Sequence, residues 1–241
     1  MAKQLYDYWF VQFNFPNEEG KPYKSSGGEM VWNEKLKREI PKGWSIFTIG
    51  KYAPCIGGFA FKSSDFGKDG LPVIKIGNIR ENYTLDMAES QCVDNFSNDL
   101  FIAKPFDLVV AMTGATIGKF AISTKKYWVN QRVGRFELGN IPLLKLGYLF
   151  NSLKQDYFRN QIFQIASGCA QPNISSEQIN SIPLLYPNCK VLEKFNLLCK
   201  PILELQIEKQ IQIETLTKQR DELLPLLMNG QATVNYHLSL C

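Results

Sequence analysis

The chain has 241 residues, of which 45% are hydrophobic, 12% aromatic and 21% charged. This composition is typical of a globular protein and excludes an intrinsically disordered or collagen-like chain. The length suits one large domain with appendages, or two small domains. The formal charge of +4 is too small to indicate a nucleic-acid-binding protein by itself, so its distribution matters more than its total.

The whole excess of positive charge falls in the middle of the chain. Residues 44–190 hold 15 basic and 11 acidic side chains, whereas the rest of the chain holds 12 of each. Within that segment, residues 104–135 contain Asp107 as the only acidic side chain against six basic ones, namely Lys104, Lys119, Lys125, Lys126, Arg132 and Arg135. This stretch is a candidate phosphate-facing surface, although a solvated basic face without a partner gives the same pattern.

Cysteine spacing and apolar run length indicate the compartment. The six cysteines form no Cys-x-x-Cys pair, and the N-terminus lacks a charged segment followed by an apolar one. Free thiols in a reducing cytoplasm are the simplest interpretation. Apolar runs are far shorter than the roughly 20 residues that span a bilayer, so we expect no membrane insertion.

The predicted elements begin with a short aromatic helix or helix end at residues 1–13. Residues 14–43 are rich in Pro, Gly, Ser, Lys and Glu, which predicts a linker. Residues 44–190 form the main domain. Its short β-branched or aromatic runs, bounded by Gly and Asp, predict strands at 45–49, 72–76, 107–112, 119–123 and 131–138.

Helical signals follow these strands. The apolar spacing over residues 143–165 predicts a helix, and Ser175 with Gln178 three residues later matches a capping box that starts a short helix ending before Pro183. The fold class is therefore predicted as mixed α+β, with a β-rich globular domain.

A long amphipathic pattern covers residues 191–230 and predicts a helix too long to lie within a small domain. Polar positions at Lys209, Gln212 and Gln219 interrupt its apolar stripe, which favours pairing with another helix in coiled-coil fashion. The predicted pairing residues are Leu198, Ile202, Leu205, Ile213, Leu216, Leu223 and Leu227. A peripheral helix packed on its own domain is the alternative. Residues 231–241 are predicted to be a flexible tail.

A weak internal repeat favours the pairing hypothesis. Residues 2–7 (AKQLYD) align with residues 217–222 (TKQRDE), and the apolar residues that follow stay in step. Only Lys and Gln are identical in that span, so chance also explains the match. If the repeat is real, the chain begins inside one copy of a helical element and ends with a second, nearly whole copy.

The most enzyme-like string is GATIGKF at residues 114–120, and it lacks two features of a phosphate-binding loop. Three residues instead of four separate its glycines, and Phe120 stands where that loop needs Ser or Thr to hold magnesium. We therefore expect a tight Gly turn between strands. His237 is the only histidine, and no Asp/Glu cluster has two-metal spacing, so we predict no metal, no cofactor and no catalytic role.

Polar and basic residues fall on the predicted turns of the β-rich domain. Asn and Gln side chains pair with adenine, Arg and Lys with guanine, and Ser, Thr and backbone amides hold phosphates. The candidate DNA-binding residues are Lys62, Ser63, Ser64, Lys75, Asn78, Arg80, Thr113, Gly114, Thr116, Lys119, Gln131, Arg132, Arg135, Gln171 and Asn173. By residue type alone, this set also fits a protein-interaction adaptor with an incidental basic surface.

Four ordered strings resemble the specificity subunit of type I restriction-modification systems. They are GFAFKSSDF (58–66) with GLPVIKIGNI (70–79), DLVVAMTGATIGK (107–119), NQRV (130–133), and SGCAQPNIS (167–175) with IPL (182–184). Phe106 departs from the pattern, because the family usually has Gly there. The resemblance implies a target-recognition domain at residues 44–190 and a conserved long helix at residues 191–230.

The resemblance also implies a function. Such a subunit is non-catalytic, reads one half of a bipartite site in double-stranded DNA with each recognition domain, and docks methyltransferase subunits and a restriction subunit. The family usually has two recognition domains and this chain has one, so we expect a half-length form whose residues 1–13 match the end of the first conserved helix. Two copies paired through the long helix, with the aromatic residues 6–13 as a second candidate contact, would restore the missing half.

Overall fold

The computed structural model describes residues 1–94, 96–166 and 172–231, which form a mixed α+β structure. The strands are β1 (Met30–Asn33), β2 (Arg38–Pro41), β3 (Ser45–Thr48), β4 (Cys55–Gly57), β5 (Leu71–Ile74), β6 (Cys92–Val93), β7 (Ile102–Ala103), β8 (Leu108–Ala111), β9 (Phe120–Ile122), β10 (Tyr127–Val129), β11 (Val133–Phe136) and β12 (Pro183–Tyr186). The helices are α1 (Ala2–Tyr6), α2 (Ile49–Tyr52), α3 (Leu143–Leu153), α4 (Asp156–Ala166), α5 (Ser176–Ser181) and α6 (Cys189–Met228). The predicted fold class is confirmed, and each predicted strand run overlaps an observed strand.

Two four-stranded sheets make up most of the β structure. In the first sheet the order is β6-β5-β10-β7, with β5 and β10 parallel. In the second the order is β4-β11-β8-β9, and all its pairs are antiparallel. Residues 130–132 join β10 of the first sheet directly to β11 of the second. This short connection holds the corresponding ends of the two sheets close together.

The second sheet is buried on both faces, since every residue of its central strands β8 and β11 is buried. Alternate residues of a strand point to opposite faces. Val109 and Ala111 of β8 therefore join a cluster with residues of the first sheet, whereas Leu108 and Val110 join the larger cluster that includes the helices.

The N-terminal aromatic residues are part of the core. The helix α1 continues as a π-helical turn over Asp7–Val11. Phe10 is 1% exposed, and its ring centre lies 4.8 Å from that of Phe195 and 4.9 Å from that of Tyr148. These aromatic side chains are already covered by their own chain, so most of the aromatic surface of residues 6–13 is not available as a second pairing contact.

Residues 14–43, predicted to be a linker, contain the β1–β2 hairpin instead. Ile40 is 2% exposed and Phe15 4% exposed, and both belong to the main core. The prediction was wrong because it weighed the Pro and Gly content of the segment and not its spaced apolar residues. Burial of those side chains holds the segment on the domain.

Helical segments in the middle of the chain follow the sequence closely. The single helix predicted over residues 143–165 is two helices, α3 and α4, with a break at Lys154 and Gln155. The capping box before α5 is confirmed: the Gln178 amide donates to the Ser175 hydroxyl at 3.2 Å, and the Ser175 amide donates to the Gln178 side chain at 2.9 Å.

The long helix α6 has 40 residues and is about 60 Å long. Its first half packs on the domain through Phe195, Cys199, Leu203 and Ile207, all buried. No described residue of α6 after Ile207 is buried, and beyond Glu214, which still contacts the domain through Lys125, the helix projects from it. The predicted pairing residue Ile202 is half-buried, whereas the remaining predicted residues are exposed, namely Leu198, Leu205, Ile213, Leu216, Leu223 and Leu227.

Candidate nucleic-acid interface

The loops that carry the predicted DNA-binding residues meet at one end of the two sheets. Val129 pairs with Ile74, so Lys75 and Asn130 follow their strands at the same level. Val133 pairs with Ala111, so Arg132 and the turn after β8 also lie at this end. We call this end of the sheets, formed by residues 58–64, 75–80, 113–119, 130–132 and 172–173, the loop face.

Backbone hydrogen bonds join the separate segments of the loop face. The Gln131 amide donates to the Phe59 carbonyl at 2.9 Å, and the Asn130 amide donates to the Ile74 carbonyl at 3.0 Å. The Gly114 amide donates to the Pro172 carbonyl at 2.9 Å. Segments that are 56–72 residues apart in sequence are therefore fixed relative to one another, which is what a reader of DNA base edges requires.

Close backbone approach at this face depends on Gly58. A Cβ atom at that position would lie 2.3 Å from the carbonyl oxygens of Val129 and Asn130. Gly114, with φ 72°, starts the turn between β8 and β9 in the left-handed region that favours glycine. The expected tight Gly turn is thus observed, and it carries Thr116 and Lys119 on the loop face.

Besides Arg80, six of the predicted residues present exposed side chains on the loop face. They are Lys62, Ser63, Ser64, Gln131, Arg132 and Asn173. Their chemistry combines cations, hydroxyls and amides, so the face offers groups for phosphates and for base edges. Lys62 and Ser64 also line a groove of about 610 Å³ whose wall includes the rings of Phe59, Phe61 and Phe66.

Other predicted residues have internal partners. The Asn78 side chain accepts from the Lys75 amide at 2.7 Å and donates to the Asp86 carbonyl at 2.8 Å, so it shapes the turn after β5. Arg80 pairs with the Asp86 carboxylate at 2.5 Å, and this bond lowers the pKa of Asp86. The Thr116 hydroxyl donates to the Thr113 carbonyl at 3.4 Å. Gln171 lies outside the described residues.

Arg135 is not on the loop face, and its predicted DNA contact is corrected. It lies on β11 with 8% of its surface exposed, and its guanidinium bonds to Asp107 at 3.3 Å and to the Leu100 carbonyl at 3.2 Å. Burial raises the pKa of Asp107, and the positive charge of Arg135 opposes that shift. Arg135 therefore acts inside the fold, because it neutralises a buried carboxylate.

The basic stretch of residues 104–135 does not form one surface. Lys119 and Arg132 lie at the loop face, and Lys119 pairs with Glu81 at 3.1 Å. Lys104, Lys125 and Lys126 lie at the opposite end of the sheets, where Lys125 pairs with Glu214 of α6 at 3.4 Å. A continuous run of charge in sequence is split here because β8, β9 and β10 reverse direction between its members.

Two further cations near the loop face, Lys154 and Arg159, were not predicted from the sequence. Lys154 and Arg159 line a pocket of about 470 Å³ together with Lys119 and Arg80. They belong to the break between α3 and α4 and to α4, far in sequence from the recognised strings. The only signal in the sequence is an apolar helical pattern whose polar positions look like ordinary solvated residues.

No described helix is long and apolar enough to cross a membrane. Across residues 1–94, 96–166 and 172–231, no three His, Cys, Asp or Glu side chains are placed to hold a metal ion.

The fold and the loop face define a class: a β-rich recognition module that presents loops from two sheets at one end and carries a long helix. The chain belongs to the family of the type I restriction modification DNA specificity domain, whose model matches residues 41–214. The resemblance seen in the sequence is thereby confirmed.

Three type I specificity subunits align with 80–97% of this chain. The specificity subunit of the type I restriction enzyme MjaIX of Methanocaldococcus jannaschii is 22% identical over 97% of this chain and 52% of its own length. The MjaVIII specificity subunit of the same organism is 26% identical over 81% of this chain and 48% of its own length. The HindI specificity subunit of Haemophilus influenzae is 25% identical over 80% of this chain and 42% of its own length. The chain spans about half the length of these relatives.

Solved structures share the fold. A type I restriction-modification S subunit from M. genitalium superposes with a TM-score of 0.51 at 15% identity, over 79% of this chain and 46% of that one. A chain from a structure concerned with complex assembly and conformational transition of the type I R-M system also superposes with a TM-score of 0.51. It is 13% identical, and the match covers 92% of this chain and 49% of that one. In both, this chain corresponds to about half of the larger one.

Proposed function

We propose that this chain is the non-catalytic DNA-reading part of a type I restriction-modification complex. In this proposal residues 44–190 are the recognition domain, which reads one half of a bipartite site in double-stranded DNA. The observation that carries it is the convergence of exposed Lys62, Gln131, Arg132 and Asn173 at one end of the sheets, on segments joined by backbone hydrogen bonds. Family membership supports the same function.

The proposed partners follow from the same family. The chain would dock methyltransferase subunits and a restriction subunit, and it would work in the cytoplasm, where these subunits meet DNA. A structure concerned with complex assembly of the type I R-M system contains a chain of the same fold, which supports assembly as part of the role.

DNA binding is tested by comparing Arg132→Gln with Lys126→Gln. Arg132 lies at the loop face and Lys126 at the opposite end, and both are exposed, so each substitution removes one charge. We expect Arg132→Gln to lower affinity and to reduce the slope of log affinity against log salt by about one, and Lys126→Gln to change neither. Equal effects of the two variants would contradict the assignment of the loop face. Failure of the wild-type chain to retain DNA at physiological salt, with or without methyltransferase subunits, would favour a protein-interaction adaptor.

We further propose that two copies pair through α6. Leu205, Ile213 and Leu216 are 54–64% exposed along α6, from the part that packs on the domain into the part that projects from it. Exposed apolar side chains in a row are stabilised when a second helix covers them. Symmetric pairing would place identical loop faces at both ends of an inverted-repeat site.

Pairing is tested by light scattering on the wild type and on Leu205→Glu with Leu216→Glu. We expect the wild type to dimerise, alone or with methyltransferase subunits, and the double variant to stay monomeric because buried carboxylates would face each other. The matched control is Lys218→Glu, on an exposed polar position of the same helix, which should dimerise like the wild type. A wild type that is monomeric under both conditions would refute pairing.

A further inference from the structure

The pocket with Lys154 and Arg159 opens beside the loop face, at the edge strand β9. Its lining comes from three places: the turn after β5 with Arg80, the segment 115–120, and the junction of α3 and α4. Residues 115–119 of that segment belong to the loop face, since they continue the Gly turn and include Lys119. The pocket is therefore continuous with the proposed DNA-reading surface.

The pocket surrounds a lysine with aromatic rings. The Lys154 ammonium lies 4.0 Å from the ring centre of Phe150 and 4.2 Å from that of Tyr83. The Arg159 guanidinium lies 5.5 Å from the ring centre of Phe163. Ring faces attract a cation but do not neutralise it, and they keep water away from it. An anion that reaches such a cation is bound more strongly than on an open surface.

The four cations of the pocket differ in their pairing. Arg80 is engaged by Asp86 and Lys119 by Glu81. Within the part of the chain that the structure describes, no carboxylate oxygen lies within 4.0 Å of the Lys154 ammonium or the Arg159 guanidinium. These two side chains are the ones left for an external anion.

In the free protein the charged form of Lys154 is less favourable than it is in water. Burial and, to a smaller extent, the positive charge of Lys3 lower its pKa to about 8. The other charged groups at the pocket are Arg80, Glu81, Lys119, Asp156 and Arg159. An anion beside the ammonium would favour its charged form and reverse this shift.

We propose that this pocket is a phosphate subsite, in which Lys154 and Arg159 hold a backbone phosphate of DNA just outside the half-site that the loop face reads. The inference rests on the proposed DNA-reading function. Continuity with the Gly turn selects a DNA phosphate over a free one, since a duplex lying on the loop face extends past β9. The rings of Tyr83 and Phe150 exclude water and position the ammonium, while the two cations supply the attraction.

The test measures DNA affinity against salt for the full chain with its methyltransferase subunits. Lys154→Gln and Arg159→Gln are each expected to weaken binding about three- to tenfold and to lower the salt slope by about one, equally for matched and unmatched half-sites. Lys126→Gln, at the opposite end of the sheets, is the control and should match the wild type. Arg159 is exposed, so its variant reports on the subsite even if Lys154→Gln perturbs folding.

The outcomes separate the subsite from the proposed function. Wild-type salt slopes in both variants, with intact sequence-specific binding, would overturn the subsite alone. Absence of DNA binding by the wild type would overturn both. Binding of a free mononucleotide that depends on Lys154, with no change in the DNA slopes, would assign the pocket to a free ligand and overturn the DNA assignment.

Proton uptake gives a second readout. Because burial lowers the pKa of Lys154 to about 8, a bound phosphate that raises this pKa should be accompanied by proton uptake around pH 8. Calorimetry in two buffers of different ionisation enthalpy measures this uptake. We expect it for the wild type and for Arg159→Gln, and its loss in Lys154→Gln; zero uptake by the wild type would contradict the role of Lys154.

Discussion

Substitution of Arg135 tests whether this arginine stabilises the fold, in contrast to Arg132, which lies three residues before it on the proposed DNA interface. The side chains of Arg135 and Asp107 are 10% and 5% exposed, and their charged atoms lie 3.3 Å apart. Removing one partner of such a pair leaves the other charge buried, which costs about 3–5 kcal/mol. We therefore expect Arg135→Ala to lower the free energy of unfolding by that amount, and the melting temperature by roughly 6–20 °C.

Arg132→Ala is the matched control for this prediction. Arg132 is exposed. Its backbone amide donates a hydrogen bond to the Asn130 side chain, and alanine at this position retains that amide. We expect its stability to stay within about 0.5 kcal/mol of the wild type. Urea unfolding followed by circular dichroism measures both variants. A stability loss below about 1 kcal/mol in Arg135→Ala, with a reduced salt slope for DNA binding, would refute the internal role and restore Arg135 to the interface.

The pH dependence of the Arg135→Ala defect gives an independent check. The pKa of Asp107 is already raised by burial, and loss of the positive charge of Arg135 would raise it further. A carboxyl group whose pKa is higher in the folded state favours folding when protonated, so its destabilising effect grows as pH rises above its unfolded pKa. We expect the stability difference between the variant and the wild type to be smaller at pH 5 than at pH 7.5. A difference that grows on acidification would contradict the assignment.

Three further predictions follow from contacts in the fold. Gly58→Ala should destabilise the chain by about 1–3 kcal/mol in chemical denaturation, because its Cβ would meet two carbonyl oxygens at 2.3 Å; unchanged stability would refute the close approach. Ser175→Ala should cost about 1 kcal/mol through loss of the cap on α5, whereas a melting curve equal to the wild type would show that Gln178 caps the helix alone. A thiol reagent at pH 8 should modify exposed Cys189 in the native chain and reach Cys55 only on unfolding, because burial raises the Cys55 pKa to about 12. Equal rates for the two thiols would contradict that burial.

The sequence predicted the elements whose stabilising contacts join residues close together in the chain. The capping box at Ser175 is a contact between residues three positions apart, so both of its partners are recognisable in the sequence. The Gly turn at residues 114–118 was predicted for the same reason. Phe106 is instructive: it stands where the family usually has Gly, and its φ of 69° lies in the left-handed region that glycine adopts most easily.

Features that depend on distant contacts were missed. The local charge count around Arg135 could not reveal that β11 places its side chain beside Asp107. The hairpin β1–β2 was hidden by charged residues and breakers, although Ile40 is buried in the core. The phosphate subsite needs Lys154 beside the ring of Tyr83, two residues 71 positions apart. Only tertiary structure brings such groups together.

The most direct test of the central claim is selection of DNA from a randomised duplex library by the full chain assembled with methyltransferase subunits. We expect enrichment of one motif that is repeated in inverted orientation, and its loss in a variant with Gln131→Ala and Asn173→Ala, whose side chains lie exposed on the loop face. Binding without enrichment of any motif, or the same motif after those substitutions, would contradict the claim that the loop face reads DNA sequence.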